Sequence, residues 1–331
     1  MRRRGGLWIL LALPPVLFIV ALIVGRYGVL AGDAVRSLFG IDGVSDVVRS
    51  LILRVRLPRA LAAACIGANL AVSGTAFQGL FRNPLVDSRI LGVSSGAAFG
   101  AALALLVSAN AVSVQASAFA FALLAVGLVC LVAWRFRSSI LVLVIGGVLI
   151  SALFNALLGM IKYVADPLSS LPAITYWLLG SLAAIRWASL PPLLAITGPG
   201  LLFFLLIRWR LNLLTLSDAE AHALGVRVKG FRVLVILIGT VLVAASVSTA
   251  GMIGWIGLMI PHVARAFVGP DHLRLIPASI ALGASSLLVI DTIARTALSS
   301  EIPLGILTGL IGVPAFFLLF ARLMRTREET P

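Results

Sequence analysis

Arginines crowd the start of a long apolar stretch, and they are the side chains best suited to recognition chemistry. They are Arg49, Arg54, Arg56 and Arg59. A guanidinium is permanently charged and can donate two parallel hydrogen bonds to one carboxylate. The stretch that follows holds two apolar helical segments joined by a polar, proline-interrupted turn at 81–88. The arginines at one end and the turn at the other predict two different docking faces.

Composition places the chain among membrane proteins. Of its 331 residues, 61% are hydrophobic and 11% are charged, whereas a soluble domain carries about 25% charged residues. Apolar runs of about 20 residues recur, and each is long enough to cross a bilayer core of about 30 Å. We therefore expect an all-α polytopic membrane protein that forms one transmembrane domain over residues 1–331.

The basic charge and the two cysteines do not change this interpretation. A net charge of +14 would suggest nucleic acid in a soluble protein, but here the basic residues lie between apolar spans, as in the positive-inside pattern. Cys65 and Cys130 both fall within apolar spans. We therefore expect neither a disulfide nor a metal site.

Ten transmembrane spans are predicted. They cover 7–24, 57–80, 90–107, 111–134, 140–164, 190–207, 233–249, 252–268, 275–298 and 302–323. The first span is long for a signal peptide and no small-x-small cleavage site follows it promptly, so we expect a retained helix. Residues 25–50 form a mixed polar outer segment, and a short periplasmic surface helix is predicted at 174–185.

The distribution of basic residues predicts the orientation. Ten spans put both termini on one side, and with the N-terminus inside most of the 26 Lys and Arg residues lie in inner segments. Both termini are therefore expected in the cytoplasm. The outer basic residues concentrate just before the second span, against this bias. An acidic partner that arrives from outside would explain them.

Spans two to five and seven to ten have opposite orientations, and each group contains a proline elbow, which indicates an inverted internal repeat. The elbow residues are Asn83, Pro84, Pro261 and His262. Inverted repeats of this kind occur in transporters. A proline ends a helix and leaves carbonyl groups free, and we expect the asparagine or the histidine to satisfy them. A lone histidine so placed does not indicate a metal site.

Several long motifs resemble one transporter family. The segment 54–97, from R-L-P-R to G-V-S-S-G-A, is similar to the signature region of the iron-chelate and cobalamin importer permeases, the FecCD-like family of type II ABC importers. The stretches TYWLLGSL, LSDAEAHALGV, AGMIGWIGLMIPHVARAFVGPDHLRLIP and EIPLGILTGLIGVPAFF are similar to the same family, in the same order. The resemblance covers roughly residues 50–320.

This resemblance implies a homodimer in the bacterial or archaeal inner membrane, with the pathway at the subunit interface and spans five and ten as its walls. It also implies two cytoplasmic ATPase subunits and a periplasmic or lipid-anchored binding protein. The sequence contains no G-x-x-x-x-G-K-[ST] motif, so the chain itself is not expected to be an enzyme. ATP and Mg²⁺ are expected on the partner ATPase, and this chain is expected to hold no cofactor.

For the cargo, the resemblance favours an iron chelate, either haem or a ferric siderophore, with cobalamin as the alternative. An ion-coupled secondary transporter is the rival class, and it usually needs acidic residues within the membrane. Only Asp291 lies clearly within a span, and Arg295 stands one turn away. This argues for ATP-driven import.

In the family, arginines of the R-L-P-R motif and one near the outer end of span nine receive acidic residues of the binding protein. The matching residues are Arg56, Arg59 and Arg295. Lipid-headgroup anchoring is the alternative for Arg56 and Arg59. For Arg295, the alternative is pairing with Asp291.

On the cytoplasmic side, the segment 211–230 matches the coupling helices that contact the ATPase in the family. Its residues are Leu213, Ser217, Asp218, Glu220, His222, Leu224 and Gly225. A plain surface helix is the alternative. Ser138 and Ser139 match the small residues that close the pathway in the family, and they could equally be N-caps of the fifth span.

Overall fold

The computed structural model describes residues 2–87, 89–107, 110–135, 140–215, 220 and 228–328, and in these residues it contains helices and no strand. The helices, in chain order, are α1 (Arg2–Ile23), α2 (Ala31–Leu38), α3 (Asp46–Ser50), α4 (Leu57–Leu80), α5 (Val93–Val107), α6 (Ala111–Arg135), α7 (Ile140–Val164), α8 (Ser170–Leu179), α9 (Leu190–Leu214), α10 (Val228–Ala250), α11 (Ile256–Val268), α12 (His272–Thr296) and α13 (Leu304–Glu328). A π-helical turn, Leu51–Arg56, joins α3 to α4, and a 3₁₀ turn, Trp187–Ser189, precedes α9.

The predicted all-α membrane class is confirmed. Each of the ten predicted spans coincides with a helix, namely α1, α4 to α7 and α9 to α13. Seven apolar helical stretches in the described residues are long enough to cross a membrane, while α5 and α11 are shorter. Both short helices follow an irregular segment: α5 follows 81–87 and 89–92, of which 82–85 are exposed, and α11 follows 251–255.

One predicted boundary is wrong. The surface helix expected at 174–185 is α8, which ends before Gly180, because Gly180 has a φ of 74° and a residue with positive φ terminates a helix. The segment 25–50 contains the two short helices α2 and α3. The second predicted span has the same bounds as α4, and α3, the π-helical turn and α4 run without a break from Asp46 to Leu80.

The central helix of the bundle is α4, which packs against α9, α10, α11 and α12. Its small residues allow this close approach. A Cβ atom at Gly67 would collide with the backbone of Gly283 in α12, and a Cβ at Gly74 would collide with the backbone of Gly257 in α11. The small residues of α4 therefore set the distance between its backbone and those of two neighbours.

Buried polar side chains tie α4 to the surrounding helices. The Asn69 amide donates to the Thr197 hydroxyl of α9 at 2.8 Å and to the Ser246 hydroxyl of α10 at 3.3 Å. The Thr75 hydroxyl donates to the Ser279 hydroxyl of α12 at 2.9 Å. In an apolar surrounding these bonds satisfy groups that would otherwise lack partners.

Helices α5, α6 and α7 form a second group, which packs edge to face through aromatic rings. The ring centroids of Phe99 and Phe121 are 4.9 Å apart, and Phe154 of α7 completes the set. Much of α7 is nevertheless exposed, including Leu149, Leu153 and Asn155. The exposed face of α7 is therefore the most open long surface of this group.

Candidate functional site

The arginine predicted as a docking residue at the start of α4 lies in a buried ion cluster. Arg59 is 6% exposed. Its Nε donates to both oxygens of Asp291 in α12, at 2.9 and 3.1 Å. Its Nη1 and Nη2 each donate to one oxygen of Glu301, both at 2.9 Å. One guanidinium thus holds two carboxylates that lie more than 230 residues away in the sequence.

Arg295 stands beside this cluster, one helical turn after Asp291. Its Nε lies 3.7 Å from Asp291 Oδ2, so the predicted pairing of these two residues is confirmed. Its Nη2 donates to the backbone carbonyl of Ala21 in α1 and, at 3.4 Å, to the Thr292 hydroxyl. Arg26 in turn donates from Nε to the Arg295 carbonyl at 3.0 Å. Arg295 therefore connects α12 with the end of α1.

Arg56 also contacts the end of α1, and it does so through backbone oxygens alone. Nη1 donates to the carbonyls of Leu22 and Ile23 at 2.8 and 2.7 Å, and Nη2 donates to the Tyr27 carbonyl at 2.5 Å. The last carbonyls of a helix lack partners within the helix and carry its partial negative charge. Arg56 supplies both the missing donors and the positive charge.

These contacts decide between the alternatives for the arginines. Arg56 is 4% exposed and Arg59 6%, so lipid-headgroup anchoring is wrong for both. The guanidinium groups face protein atoms. Docking to a binding protein stays a prediction for all three arginines. Of their charged partners, Glu301 is the more accessible, with 29% of its side chain exposed, against 3% for Asp291.

Sequence reasoning missed Glu301 and Arg26. Glu301 opens the motif E-I-P-L-G at the start of the last predicted span. An acidic side chain at a membrane boundary is the sequence feature that could have identified it as a site residue. From the sequence, Arg26 could be identified only as one of several basic residues in the predicted outer segments. Its bonds to the carbonyls of Arg295 and Leu298 depend on the fold.

The two predicted proline elbows meet in space. His262 Nε2 lies 2.8 Å from the Pro84 carbonyl oxygen, which confirms that this histidine satisfies a free carbonyl. Asn83 behaves differently, because its Oδ1 accepts from the Leu85 backbone N–H at 2.9 Å. Of the two elbow residues expected to satisfy a free carbonyl, His262 is therefore the one that does so.

Pro261 does not end a helix, contrary to the prediction. It lies inside α11, and the break in the chain comes earlier, at 251–255. Gly251 and Trp255 both adopt positive φ angles there, 72° and 68°. Glycine tolerates this conformation, and the tryptophan is held in it by the surrounding structure. The second elbow is thus a glycine-containing segment.

Gln78, near the end of α4, links the first irregular segment to α11, and no local sequence pattern singles it out. Its Nε2 donates to the carbonyls of Val86 and Leu258 at 3.1 and 3.2 Å. Its Oε1 accepts from Nη2 of Arg265. The side chain is 3% exposed, so it acts as an internal connector.

Most of the predicted coupling and gate residues lie outside the described residues. They are Ser217, Asp218, His222, Leu224 and Gly225 for coupling, and Ser138 and Ser139 for the gate. Leu213 lies in the last turn of α9, and Glu220 is exposed. These roles stay predictions.

The end of α9, which leads into the predicted coupling segment, is hydrogen-bonded to the start of α12. Asp271 Oδ1 accepts from the Asn212 amide at 2.8 Å and from the Leu273 backbone N–H at 3.0 Å, so it is the N-cap of α12. Partial burial of Asp271 works against its ionised form, but these two hydrogen bonds prevail and lower the pKa of its carboxyl below the ordinary value. Asn212 Oδ1 also accepts from the His272 backbone N–H at 2.9 Å.

Comparisons with known proteins agree with this architecture. The model of the FecCD transport family matches residues 11–322. The chain is 40% identical over 327 residues to the molybdate import system permease protein MolB of Haemophilus influenzae, covering 97% of this chain and 95% of that protein. It is 37% identical over 292 residues to the hemin transport system permease protein HmuU of Yersinia pestis, covering 86% of each.

A solved structure has the same fold. It shows an ABC transporter, assigned to the metal-chelate type, in an inward-facing conformation. The TM-score is 0.87 at 38% sequence identity, and the match covers 96% of this chain and 98% of that chain.

Proposed function

Because the chain belongs to the FecCD transport family, we propose that it carries an iron chelate, either haem or a ferric siderophore, into the cytoplasm. The chain is the permease subunit of an ABC importer, and its many apolar helices make it a multi-pass membrane protein. The observation that carries the proposal is the family match over residues 11–322, which includes most of the helical bundle.

The energy source belongs to another chain in this proposal. The sequence lacks a P-loop motif, and its only lysines are Lys162 and Lys229. A P-loop needs a lysine within a glycine-rich turn to bind the phosphates of ATP. Two ATP-binding subunits would therefore bind ATP and Mg²⁺ at the cytoplasmic face, in contact with the segment 211–230. Both termini would lie on that face.

A second copy of the chain would complete the pathway. The exposed side chains of α7 support this proposal, because Asn155 stands among apolar residues in the second half of that helix. A polar amide in contact with lipid tails is unfavourable. A second copy, or a water-filled path between two copies, would provide a polar surrounding.

A binding protein would deliver the cargo at the outer face. We propose Arg59 as the docking arginine of the three, because its partner Glu301 is accessible and could be exchanged for a carboxylate of the binding protein. Arg56 and Arg295 bind backbone carbonyls of α1, and in this conformation they hold that helix in place.

The cargo itself is the least supported part of the proposal. The name of the Yersinia pestis relative supports haem, an iron chelate. Molybdate is a second candidate, favoured by the 40% identity to MolB over 97% of the chain. Cobalamin is the alternative within the same family.

An ion-coupled secondary transporter fits less well. In the described part of the chain, Asp291 is the one buried acidic residue, and its charge is compensated by Arg59. A proton or cation relay needs acidic groups that can change their charge or bind an ion.

Reconstitution in proteoliposomes tests these proposals together. The chain would be purified with its ATPase and binding protein, and uptake of haem, a ferric siderophore, cobalamin and molybdate would be measured with and without ATP. We expect ATP-dependent uptake of one cargo that an uncoupler does not abolish. Uptake that needs an ion gradient and not ATP would contradict ATP-driven import, and uptake of molybdate alone would overturn the iron-chelate proposal.

A further inference from the structure

The two irregular segments of the fold lie side by side where Arg89 approaches Gly254. Arg89 of the first segment reaches Gly254 of the second, since a Cβ placed on Gly254 would lie 3.2 Å from Arg89 Nη1. The carbonyl of Ile90 lies against Gly147 of α7 so closely that a Cβ there would collide with it. Gly147 is seven residues into α7, about 10 Å along its axis. Arg89, Ile90 and Gly254, where the segments meet, therefore lie at membrane depth.

Irregular backbone at this depth needs polar surroundings. Its N–H and C=O groups lack the partners that a helix provides, and lipid offers none. Such segments are tolerated where protein buries them or where they line a water-filled cavity. Here a cavity of about 480 Å³ lies beside the first segment.

The lining of this cavity combines the apolar residues Leu85, Ile90 and Met252 with several polar ones. It includes Asp87, Arg89, Ser94, Ser95 and Asn155. Asn155 is exposed on α7, so the cavity reaches the open face of that helix. These side chains offer a guanidinium, two hydroxyls and an amide as hydrogen-bond donors.

Among the lining residues, Ser94 gives the strongest indication of a bound ligand. It is 7% exposed, it lines the cavity, and its hydroxyl has no hydrogen-bond partner among the described residues. A buried hydroxyl without a partner is unfavourable. A bound group that accepts its hydrogen would remove this penalty.

The N-terminus of α5 adds positive potential at the same place. α5 begins at Val93, so the backbone N–H groups of its first turn, including those of Ser94 and Ser95, have no acceptor within the helix. A helix N-terminus carries partial positive charge and favours anions.

Arg89 provides a full charge that is partly compensated. Its Nε and Nη2 contact Asp87 Oδ2 at 2.7 and 2.6 Å, while 38% of its side chain is exposed. Asp87 therefore weakens the attraction for an anion without removing the donors. A transport site needs this balance, since cargo must both enter and leave.

We propose that this cavity is an anion subsite on the import pathway, where Arg89, Ser94 and Asn155 contact a negatively charged oxygen group of the cargo. The group is either a free oxyanion such as molybdate or a carboxylate of an iron chelate. This inference rests on the proposed import function and adds to it the chemical class that the pathway recognises.

The first experiment measures uptake of molybdate and of ferric citrate in the reconstituted complex, in parallel with ATP hydrolysis. Ser94→Ala combined with Asn155→Leu is compared with Ser113→Ala, a change at the start of α6 outside the cavity. We expect the double variant to lower the uptake of the transported anion about tenfold per ATP hydrolysed, with the binding protein's stimulation of hydrolysis retained. The control should match the wild type. The affected cargo identifies the source of the oxygen group.

A second experiment covers the case in which the double variant fails to assemble. Asn155→Cys, in a chain with Cys65 and Cys130 replaced by alanine, is treated with a charged, membrane-impermeant thiol reagent. We expect labelling that molybdate or ferric citrate slows, and no labelling of Leu206→Cys on α9. Absence of labelling at Asn155→Cys, or labelling that neither anion slows, would overturn the subsite.

The outcomes separate the two proposals. If the wild type imports neither anion nor any other cargo with ATP, the import function fails. If the wild type imports molybdate or ferric citrate and the double variant imports it equally well per ATP, the import function stands and the anion subsite is wrong.

Discussion

Removing the guanidinium of Arg59 should destabilise the protein by about 3 kcal/mol. Arg59→Met keeps much of the side-chain volume but leaves Asp291, which is 2% exposed, without its main partner. Breaking a buried ion pair from one side costs about 3–5 kcal/mol. We expect the lower end of this range, because Arg295 Nε remains 3.7 Å from Asp291. At an effective dielectric constant of about 20, this contact retains roughly 4 kcal/mol of attraction.

The assay is thermal unfolding of the purified protein in detergent, followed by the increase in reactivity of the partly buried thiols Cys65 and Cys130. Glu301→Gln is the matched control, since that carboxylate is partly exposed and a partly exposed pair contributes about 1 kcal/mol or less. Arg59→Met together with Asp291→Leu removes both buried charges at once. Replacing a buried pair with apolar residues is often neutral, so the double variant should regain most of the lost stability.

The same variants separate folding from docking. If Arg59 receives a carboxylate of the binding protein, the stabilised double variant should fold and still lose stimulation of ATP hydrolysis by the binding protein. If Arg59→Met melts no lower than Glu301→Gln, the buried ion pair does not stabilise the fold and the reasoning is refuted. If the binding protein stimulates ATP hydrolysis normally in the double variant, docking at Arg59 is refuted, and the role of the ion pair in stability is unaffected.

Three further predictions concern the packing of the bundle. Gly67→Leu should abolish accumulation of folded protein in the membrane, because a side chain there would collide with the backbone of Gly283. Gly127→Ala should be tolerated, because a Cβ at Gly127 meets no atom within 4 Å. Quantitative immunoblotting of membranes compares the two variants. Arg56→Ala should free the end of α1, so that limited proteolysis after Ile23 becomes several-fold faster than in the wild type. Asp271→Ala should cost about 1 kcal/mol at neutral pH through loss of an N-cap. Because the folded pKa of Asp271 is lowered, this contribution is present above its unfolded pKa and is lost as the pH falls through the folded value, so melting curves of wild type and variant should converge in acid.

Much of the fold could be predicted from the sequence because lipid imposes a simple rule. A helix that crosses the membrane must be long and apolar, and each predicted span coincides with a helix. The break at 251–255 was misplaced because its residues are as apolar as the span around them. Proline at 261 was the more visible signal, yet the helix continues through it.

The arginine cluster shows what the sequence could not provide. Arg59 and Glu301 are separated by 242 positions, and no local pattern indicates that they meet. The pairing of Asp291 with Arg295 was predictable, since residues four apart share one face of a helix. The connector role of Gln78 was not predictable, because it depends on the first irregular segment and α11, which meet only in the folded chain.

The difference between closely packed and exposed helices indicates which parts of the bundle can move during transport. α4 and α12 are fixed to each other by Arg59 and Asp291 near the N-terminal end of α4 and by the contact of Gly67 with Gly283 further along it. Separating them would break a buried ion pair and open a close helix contact, so they should move as one body. α7 has a largely exposed face and few such ties. Because elements with little buried surface open at lower free energy, the rearrangements that admit cargo should occur where α7 and the irregular segments meet, beside the proposed anion subsite.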